Sequence, residues 1–281
     1  MAKIQRILGV VTLAALLAGC SPFLLNPFVP RGGYTVERNI AFGNGPRQKL
    51  DIYIPDGLTK PAPVLIFFYG GSWQDGDKDG YRWIGQTFAS HGIVTVLANY
   101  RLYPPNLYPS FVQDGALALR YVHDEIAKAG GDPERVFVSG HSAGAYNAIM
   151  LASDPKFVRD VGGDLSWIRG AIGIAGPYDF LPMTDPKIIA IFGGANNPAT
   201  QPITYIDGKR PPMLLVDGTA DKTVDPGNVT RMAAKLRANG SEVQTKLYPG
   251  VGHIGIILSL APILRTDTTL ENDMVRFIDS H

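Results

Sequence analysis

Gly140-His141-Ser142-Ala143-Gly144 is a G-x-S-x-G pentapeptide lying between the apolar run Arg135–Ser139 and the small-residue stretch Ala145–Leu151. The run predicts a buried strand and the stretch a helix, so Ser142 falls on the turn that joins them. Two glycines relieve the crowding of such a sharp turn, and the hydroxyl projects past the end of the strand. N–H groups at the start of the following helix aim at the same spot and suit a developing negative charge. The chemistry this implies is nucleophilic attack on a carbonyl. It needs a base to take the serine proton and a third group to orient that base.

The pentapeptide resembles the nucleophile turn of the α/β-hydrolases, and that resemblance implies that the acid and then the histidine follow the serine in the chain. After Ser142 histidine occurs only at His253 and His281. His281 is the last residue, where fraying is the default. His253 closes the glycine-rich turn Pro249-Gly250-Val251-Gly252-His253 just past a predicted strand, and is the candidate base. The run Pro212–Val216 leads into Asp217-Gly218-Thr219-Ala220-Asp221. Asp217 sits at the strand end itself, whereas Asp221 lies on the loop beyond, able to reach across to His253. Asp221 is therefore the preferred acid, with Asp217 and Asp225 as surface or turn-forming alternatives. For the oxyanion hole, Ala143 supplies the N–H after the nucleophile. Gly71 and Ser72 supply others from the loop Tyr69-Gly70-Gly71-Ser72-Trp73, which follows the apolar run Val64–Tyr69.

These residues need a scaffold, and the rest of the chain provides one. Tyr34–Phe42 and Lys49–Ile54 read as two opening strands joined by Gly43-Asn44-Gly45-Pro46. Strands and helices then alternate. Strands are expected at Val64–Tyr69, Ile93–Ala98, Arg135–Val138, Gly170–Ala175, Met213–Val216 and Glu242–Leu247. Helices are expected at about Gly80–His91, Pro109–Ala129, Ser142–Ala152, Pro226–Asn239 and Thr268–Asp279. Repeated β-α units predict a mostly parallel sheet with helices on both faces and an antiparallel start, its active site at the C-terminal strand ends. Segment 177–212 breaks the rhythm with many prolines and glycines, and reads as an insertion that walls or lids the substrate pocket.

The 281 residues, 45% hydrophobic and 18% charged, describe an ordinary globular chain long enough for a sizeable core. The net charge is +1, and no lysine or arginine run suggests nucleic acid as a partner. His123-Asp124-Glu125, on a predicted helix without a further ligand at metal spacing, reads as a solvated face. Lys3 and Arg6 precede the apolar stretch Ile7–Ala18, which ends in Leu17-Ala18-Gly19-Cys20. This pattern predicts a signal peptide over residues 1–19 and lipidation of Cys20, which is the only cysteine. Residues 20–33, with three prolines, then read as a stiff tether, and 34–281 as one catalytic domain. The expectation is an exported bacterial lipoprotein held on the bilayer through Cys20, with Ser21 resembling outer-membrane sorting in a host with two membranes.

Tyr69-Gly70-Gly71-Ser72-Trp73, Asn99-Tyr100-Arg101-Leu102, Gly130-Gly131-Asp132-Pro133, the Ser142 pentapeptide and Asp217–Asp221 together resemble the α/β-hydrolase esterases. Within them the chain is most similar to hormone-sensitive-lipase-like carboxylesterases and to the feruloyl-esterase and kynurenine-formamidase relatives with an HGGxW loop. The resemblance spans about Tyr34 to the C-terminus. It implies the α/β-hydrolase fold, an eight-stranded, mostly parallel sheet, and hydrolysis of a small to medium ester through an acyl-enzyme, with no cofactor or metal. Tyr100-Arg101 and Asp132-Pro133 are then scaffold, as buried polar pairing and a turn. Two positions depart from the pattern: Tyr69 stands where a histidine is usual, and Asp217 where a histidine often precedes the glycine. Rival readings are an amidase or formamidase using the same triad, and a non-catalytic envelope protein that binds through the pocket. The intact Ser, Asp and His in family order argue against the latter.

Overall fold

The computed structural model describes residues 22–265 and 268–281. Eight strands form one sheet: β1 (Tyr34–Ala41), β2 (Lys49–Pro55), β3 (Ala62–Phe68), β4 (Val94–Ala98), β5 (Gly131–His141), β6 (Gly170–Ile174), β7 (Met213–Gly218) and β8 (Val243–Tyr248). Their order is β1-β2-β4-β3-β5-β6-β7-β8. β2 runs antiparallel to β1 and β4, and all pairings from β4 to β8 are parallel. Every residue of β4 and β6 is buried, as expected of largely apolar strands covered on both faces; the one hydroxyl, on Thr95, donates to the Ile93 carbonyl.

The helices are α1 (Arg82–Ala89), α2 (Ser110–Glu125), α3 (Ala143–Ser153), α4 (Pro155–Asp160), α5 (Pro186–Phe192), α6 (Gly227–Ala238), α7 (His253–Leu258) and α8 (Thr269–Ser280). They lie on both faces. Phe137 of β5, paired with Gly170 of β6, meets Phe277 of α8 edge-on with ring centroids 6.1 Å apart. A Cβ on Gly173, an odd number of residues further along β6, would meet Ile149 of α3 at 3.1 Å. Successive strand residues point to opposite faces, so α3 and α8 sandwich the sheet.

Most expected elements stand within a few residues of their predicted bounds. β5 differs most, starting at Gly131 rather than Arg135. The register slips between the pairs Ala62–Gly131 and Val64–Val136, and Asp132 accepts a hydrogen bond from the Glu134 N–H. The turn expected at Asp132-Pro133 is thus an irregularity inside the strand. The short helices α4, α5 and α7 were not foreseen, each being too brief to show a helical period.

The signal peptide expected over 1–19 and lipidation at Cys20 lie outside the described residues. Within the expected tether, Pro22–Phe28 is a 3-10 helix that docks on the body instead of extending away. Leu25 is buried, and the Asn26 amide donates to the Asp79 carbonyl at 2.6 Å. Phe23, Leu24 and Phe28 remain exposed.

Segment 177–212 folds as α5 and two 3-10 turns, Pro198–Thr200 and Pro202–Tyr205. The Tyr146 hydroxyl of α3 donates to the Thr200 carbonyl at 2.6 Å, and those of Tyr108 and Tyr205 donate to the Ala199 carbonyl at 2.9 and 2.7 Å. Phe192 of α5 packs edge-on against Trp73, Phe111 and Tyr146. The insertion is a wall fastened to the body.

One buried ion pair supports the segment that follows the oxyanion loop. Lys78, 2% exposed, reaches Asp51 of β2, fully buried, at 2.8 Å and donates to the Asn39 amide oxygen at 2.9 Å. Asp51 also receives Arg38 at 3.2 Å and the Asn39 N–H at 2.8 Å, so removing Lys78 leaves its charge only partly compensated. Lys78→Met is expected to lower the unfolding free energy by about 2 kcal/mol, less than for a charge left wholly unpaired, read from the urea midpoint at constant slope.

Candidate active site

β5 delivers Ser142 and α3 leaves from it. Ser142 has φ 56° and ψ −122°, a left-handed backbone that a serine adopts only when its surroundings hold it there. The glycines on either side are required by space. A Cβ on Gly140 would lie 2.3 Å from the backbone of Gly144, and one on Gly144 would lie 2.1 Å from the Phe68 carbonyl oxygen at the end of β3. The elbow therefore presses α3 against β3 with no room for a methyl group.

His253 opens α7 and reaches the serine from the far side. Its Nε2 is 2.9 Å from Ser142 Oγ and its Nδ1 2.6 Å from Asp221 Oδ2. A carboxylate accepts only, so Nδ1 carries the proton and Nε2 is left to accept from the serine hydroxyl. The structure thus brings together the three residues singled out in the sequence. Burial works against the charge of Asp221, but hydrogen bonds from the Val224 N–H, from His253 and from the Thr223 N–H outweigh it and hold its pKa below the ordinary carboxylate value. It stays an anion beside the imidazole. Asp225 lies away from this chain of bonds, capping the Gly227 N–H and pairing with Arg231.

Asp217 is fully buried at the end of β7; one oxygen accepts from the Gly218 N–H, and the other has no hydrogen-bond partner. Burial pushes its pKa up to about 8, the Gly218 N–H working against the rise and Asp221 adding to it. Two neighbouring aspartates are thus driven apart, one to the anion and one to the neutral acid.

The N–H groups of Gly71, Ser72 and Ala143 take part in no hydrogen bond among the described residues. Gly71 has φ +137°, and a Cβ there would sit 2.2 Å from the Asp75 carbonyl oxygen, so the loop curls too tightly for a side chain. Ser72 and Trp73 also have positive φ, 52° and 58°. Residues far away in the chain maintain this shape. The Trp73 indole donates to Asn147 of α3 at 3.1 Å, tying the loop to the elbow helix. Arg47 donates to the Tyr69 hydroxyl, the Tyr100 carbonyl and the Gly76 carbonyl at 2.5, 2.9 and 2.8 Å. Tyr69, where the resemblance leads one to expect histidine, stacks on Tyr100 with centroids 4.6 Å apart and accepts the Tyr100 hydroxyl on its carbonyl.

His141, the variable residue of the pentapeptide, also has a structural task. It is buried, and its Nε2 donates to the His253 carbonyl at 3.0 Å, holding the backbone of the base. Burial, with the neighbouring His253 in addition, lowers its pKa to about 3, so it is neutral. Nothing in the sequence distinguished it from a spacer. The same is true of Asn228 and Arg231 on α6, which grip the root of the insertion. Asn228 accepts from the Tyr178 and Asp179 N–H groups, both at 2.8 Å, and Arg231 bonds the Asp179 carboxylate at 2.7 Å and carbonyl at 2.8 Å.

Two cavities meet at Ser142. One, of about 510 Å³, runs under the insertion and is lined by Trp73, Phe180, Leu181 and Ile188 with Asp179, Asp185, Asp225 and Arg231 at its polar side. The other, of about 320 Å³, lies toward the oxyanion loop, His253 and Ile254. Ser72 and Thr223 border both. Among the described residues no group of three or more His, Cys, Asp or Glu is placed to hold a metal ion.

Residues 50–236 match the BD-FAE family model. The chain is 29% identical over 272 residues to a probable isoprenylcysteine alpha-carbonyl methylesterase from Arabidopsis thaliana, covering 85% of this chain and 56% of that protein. It is 29% identical over 243 residues to esterase LipC of Mycobacterium tuberculosis, covering 78% of this chain and 60% of that one. The chain thus spans less than two thirds of the length of these relatives. Among solved structures, esterase B from Lactobacillus rhamnosis superimposes with a TM-score of 0.78 at 19% identity, over 98% of this chain and 96% of that one. A truncated carbohydrate esterase from gut microbiota gives 0.77 at 21%, over 90% and 98%. These likenesses show the α/β-hydrolase fold.

The neutral state of Asp217 has a measurable sign. Its folded pKa of about 8 exceeds the ordinary 3.8, so between these values the unfolded chain releases a proton that the folded chain keeps. Stability is lost as pH rises through that window. Asp217→Asn, which preserves the acceptor for Gly218 and has no proton to lose, is expected to melt increasingly above the native chain from pH ~4 to ~8. Thermal melts across that range check it; a difference independent of pH contradicts a neutral Asp217.

Proposed function

This chain belongs to the BD-FAE family, and from that premise we propose that it is a serine carboxylesterase acting through an acyl-enzyme. The observation that carries the reading is the unbroken chain of hydrogen bonds from Asp221 through His253 to Ser142, beside three N–H groups with no acceptor among the described residues. As Ser142 Oγ bonds to the ester carbonyl carbon, its proton passes to His253 Nε2. Asp221 stabilises the imidazolium through Nδ1–H. The carbonyl oxygen becomes an anion that the Gly71, Ser72 and Ala143 N–H groups receive. Collapse of this tetrahedral intermediate breaks the ester C–O bond, and the alcohol leaves with the proton from His253. Water then gives a proton to Nε2, attacks the acyl-serine, and the acid departs with Ser142 restored. These steps draw on side chains and backbone alone.

The exported, lipid-anchored state belongs to the same proposal. It is supported by Lys3 and Arg6 ahead of the apolar Ile7–Ala18, by Leu17-Ala18-Gly19-Cys20, and by the exposed Phe23, Leu24 and Phe28 that follow at once. The substrate in this reading is a small-molecule ester that fits the cavities on either side of Ser142.

Ser142→Ala is expected to lower kcat/KM on p-nitrophenyl butyrate by about 10⁴-fold or more while leaving the melting temperature within a few degrees. Undiminished turnover in that variant refutes the assignment. Labelling by a fluorophosphonate, located by mass spectrometry, gives a second reading: it should fall on the Ser142 peptide and nowhere in the Ser142→Ala chain.

A further inference from the structure

Charge is unevenly distributed around the nucleophile. The larger cavity is lined by Asp179, Asp185 and Asp225, the smaller by Asp75, and Arg231 is the only lysine or arginine lining either of them among the described residues. Arg231 is already committed, bonded to Asp179 at 2.7 Å and to Asp225 at 3.0 Å. Among the described residues Asp185 and Asp75 have no cationic partner at ion-pair distance; their carboxylates cap backbone N–H groups, those of Lys187 and Ile188 for Asp185 and that of Gly76 for Asp75. Lys187 and Lys222 neighbour the site in sequence but are exposed and line neither cavity. The rims therefore carry a net negative charge on both sides of Ser142. The space between the Gly71, Ser72 and Ala143 N–H groups favours an anion, and in the esterase reading it is reserved for the ester oxygen.

We propose that these carboxylates make the enzyme selective for esters whose parts beyond the scissile bond are neutral or cationic, and exclude esters bearing a second, anionic group. The inference rests on the esterase reading above and adds a substrate class to it. It holds whichever cavity receives the acyl group, because a remote anion meets an aspartate in either. The same field bears on release: cleavage of a neutral ester creates a carboxylate inside a negative surround, which favours its departure and weakens inhibition by the acid product.

Three esters of similar length test this: p-nitrophenyl butyrate, mono-p-nitrophenyl succinate and the p-nitrophenyl ester of γ-trimethylammoniobutyrate. Their kcat/KM values on the native chain, and their dissociation constants from the Ser142→Ala chain by calorimetry, give hydrolysis and binding independently. The anionic ester should be about tenfold worse than the neutral one in both measures at low salt, and the cationic ester no worse than neutral. The gap should narrow as added salt shortens the screening length. It should also close by about two- to threefold in Asp185→Asn and again in Asp75→Asn, whose amide oxygens keep the caps. Equal binding of all three esters, or a gap indifferent to both salt and these substitutions, overturns the proposal. Absence of turnover on every ester by the native chain refutes the esterase reading instead, and the affinities still decide the charge question.

Discussion

The site depends on one steric constraint, the contact between the first turn of α3 and the ends of β3 and β5. Gly140 and Gly144 have no space for a Cβ, and Ser142 between them is held at positive φ. A relaxed turn would swing Oγ away from the strand ends and point the helix N-terminus elsewhere. The Ser142 N–H donates to the Ile174 carbonyl on β6, which fixes the elbow from the other side. Packing of this kind places a nucleophile to within fractions of an ångström because its surroundings cannot deform cheaply.

The other parts of the site are brought to that fixed point by cross-links between remote segments. Trp73 joins the oxyanion loop to α3, Arg47 closes the back of the same loop, and His141 joins the strand that carries the nucleophile to the backbone of the base. Each link involves residues that lie between 22 and 112 positions apart. None would form in an isolated segment. The two aspartates after β7 show how finely burial then sorts identical side chains. Asp221, on the loop, receives N–H donors and an imidazole and stays charged, whereas Asp217, four residues earlier in the strand, is buried with a single N–H donor beside the Asp221 anion and holds its proton.

Local pattern revealed the elements and pointed to the residues that the fold gathers at Ser142. Runs such as Val64–Phe68 and Val94–Ala98, apolar except for Thr95, stand out because a strand covered on both faces has little room for polar groups, and the G-x-S-x-G spacing is dictated by the elbow itself. The loop after β7 offered two aspartates, and reach toward His253 was enough to favour Asp221. What stayed hidden was everything that depends on long-range contact. Arg47, Asn147 and Arg231 look like any other polar residue until their partners are folded beside them. The short helix α5 owes its place to Phe192 buried among Trp73, Phe111 and Tyr146, not to any periodicity of its own. The 3-10 helix at Pro22–Phe28 escaped notice for a similar reason, since prolines alone suggest extension and only the burial of Leu25 draws the segment inward.

The fastening of the insertion has a further kinetic meaning. Asn228 and Arg231 hold its root, while Tyr108, Tyr146 and Tyr205 hold its far end through the carbonyls of Ala199 and Thr200. A partition stitched at both edges is held in place, and the cavity of about 510 Å³ beneath it already reaches Ser142 before any substrate arrives. In the esterase proposed above, such a vessel would take up dissolved ester smoothly, with no door awaiting an oily surface to swing it.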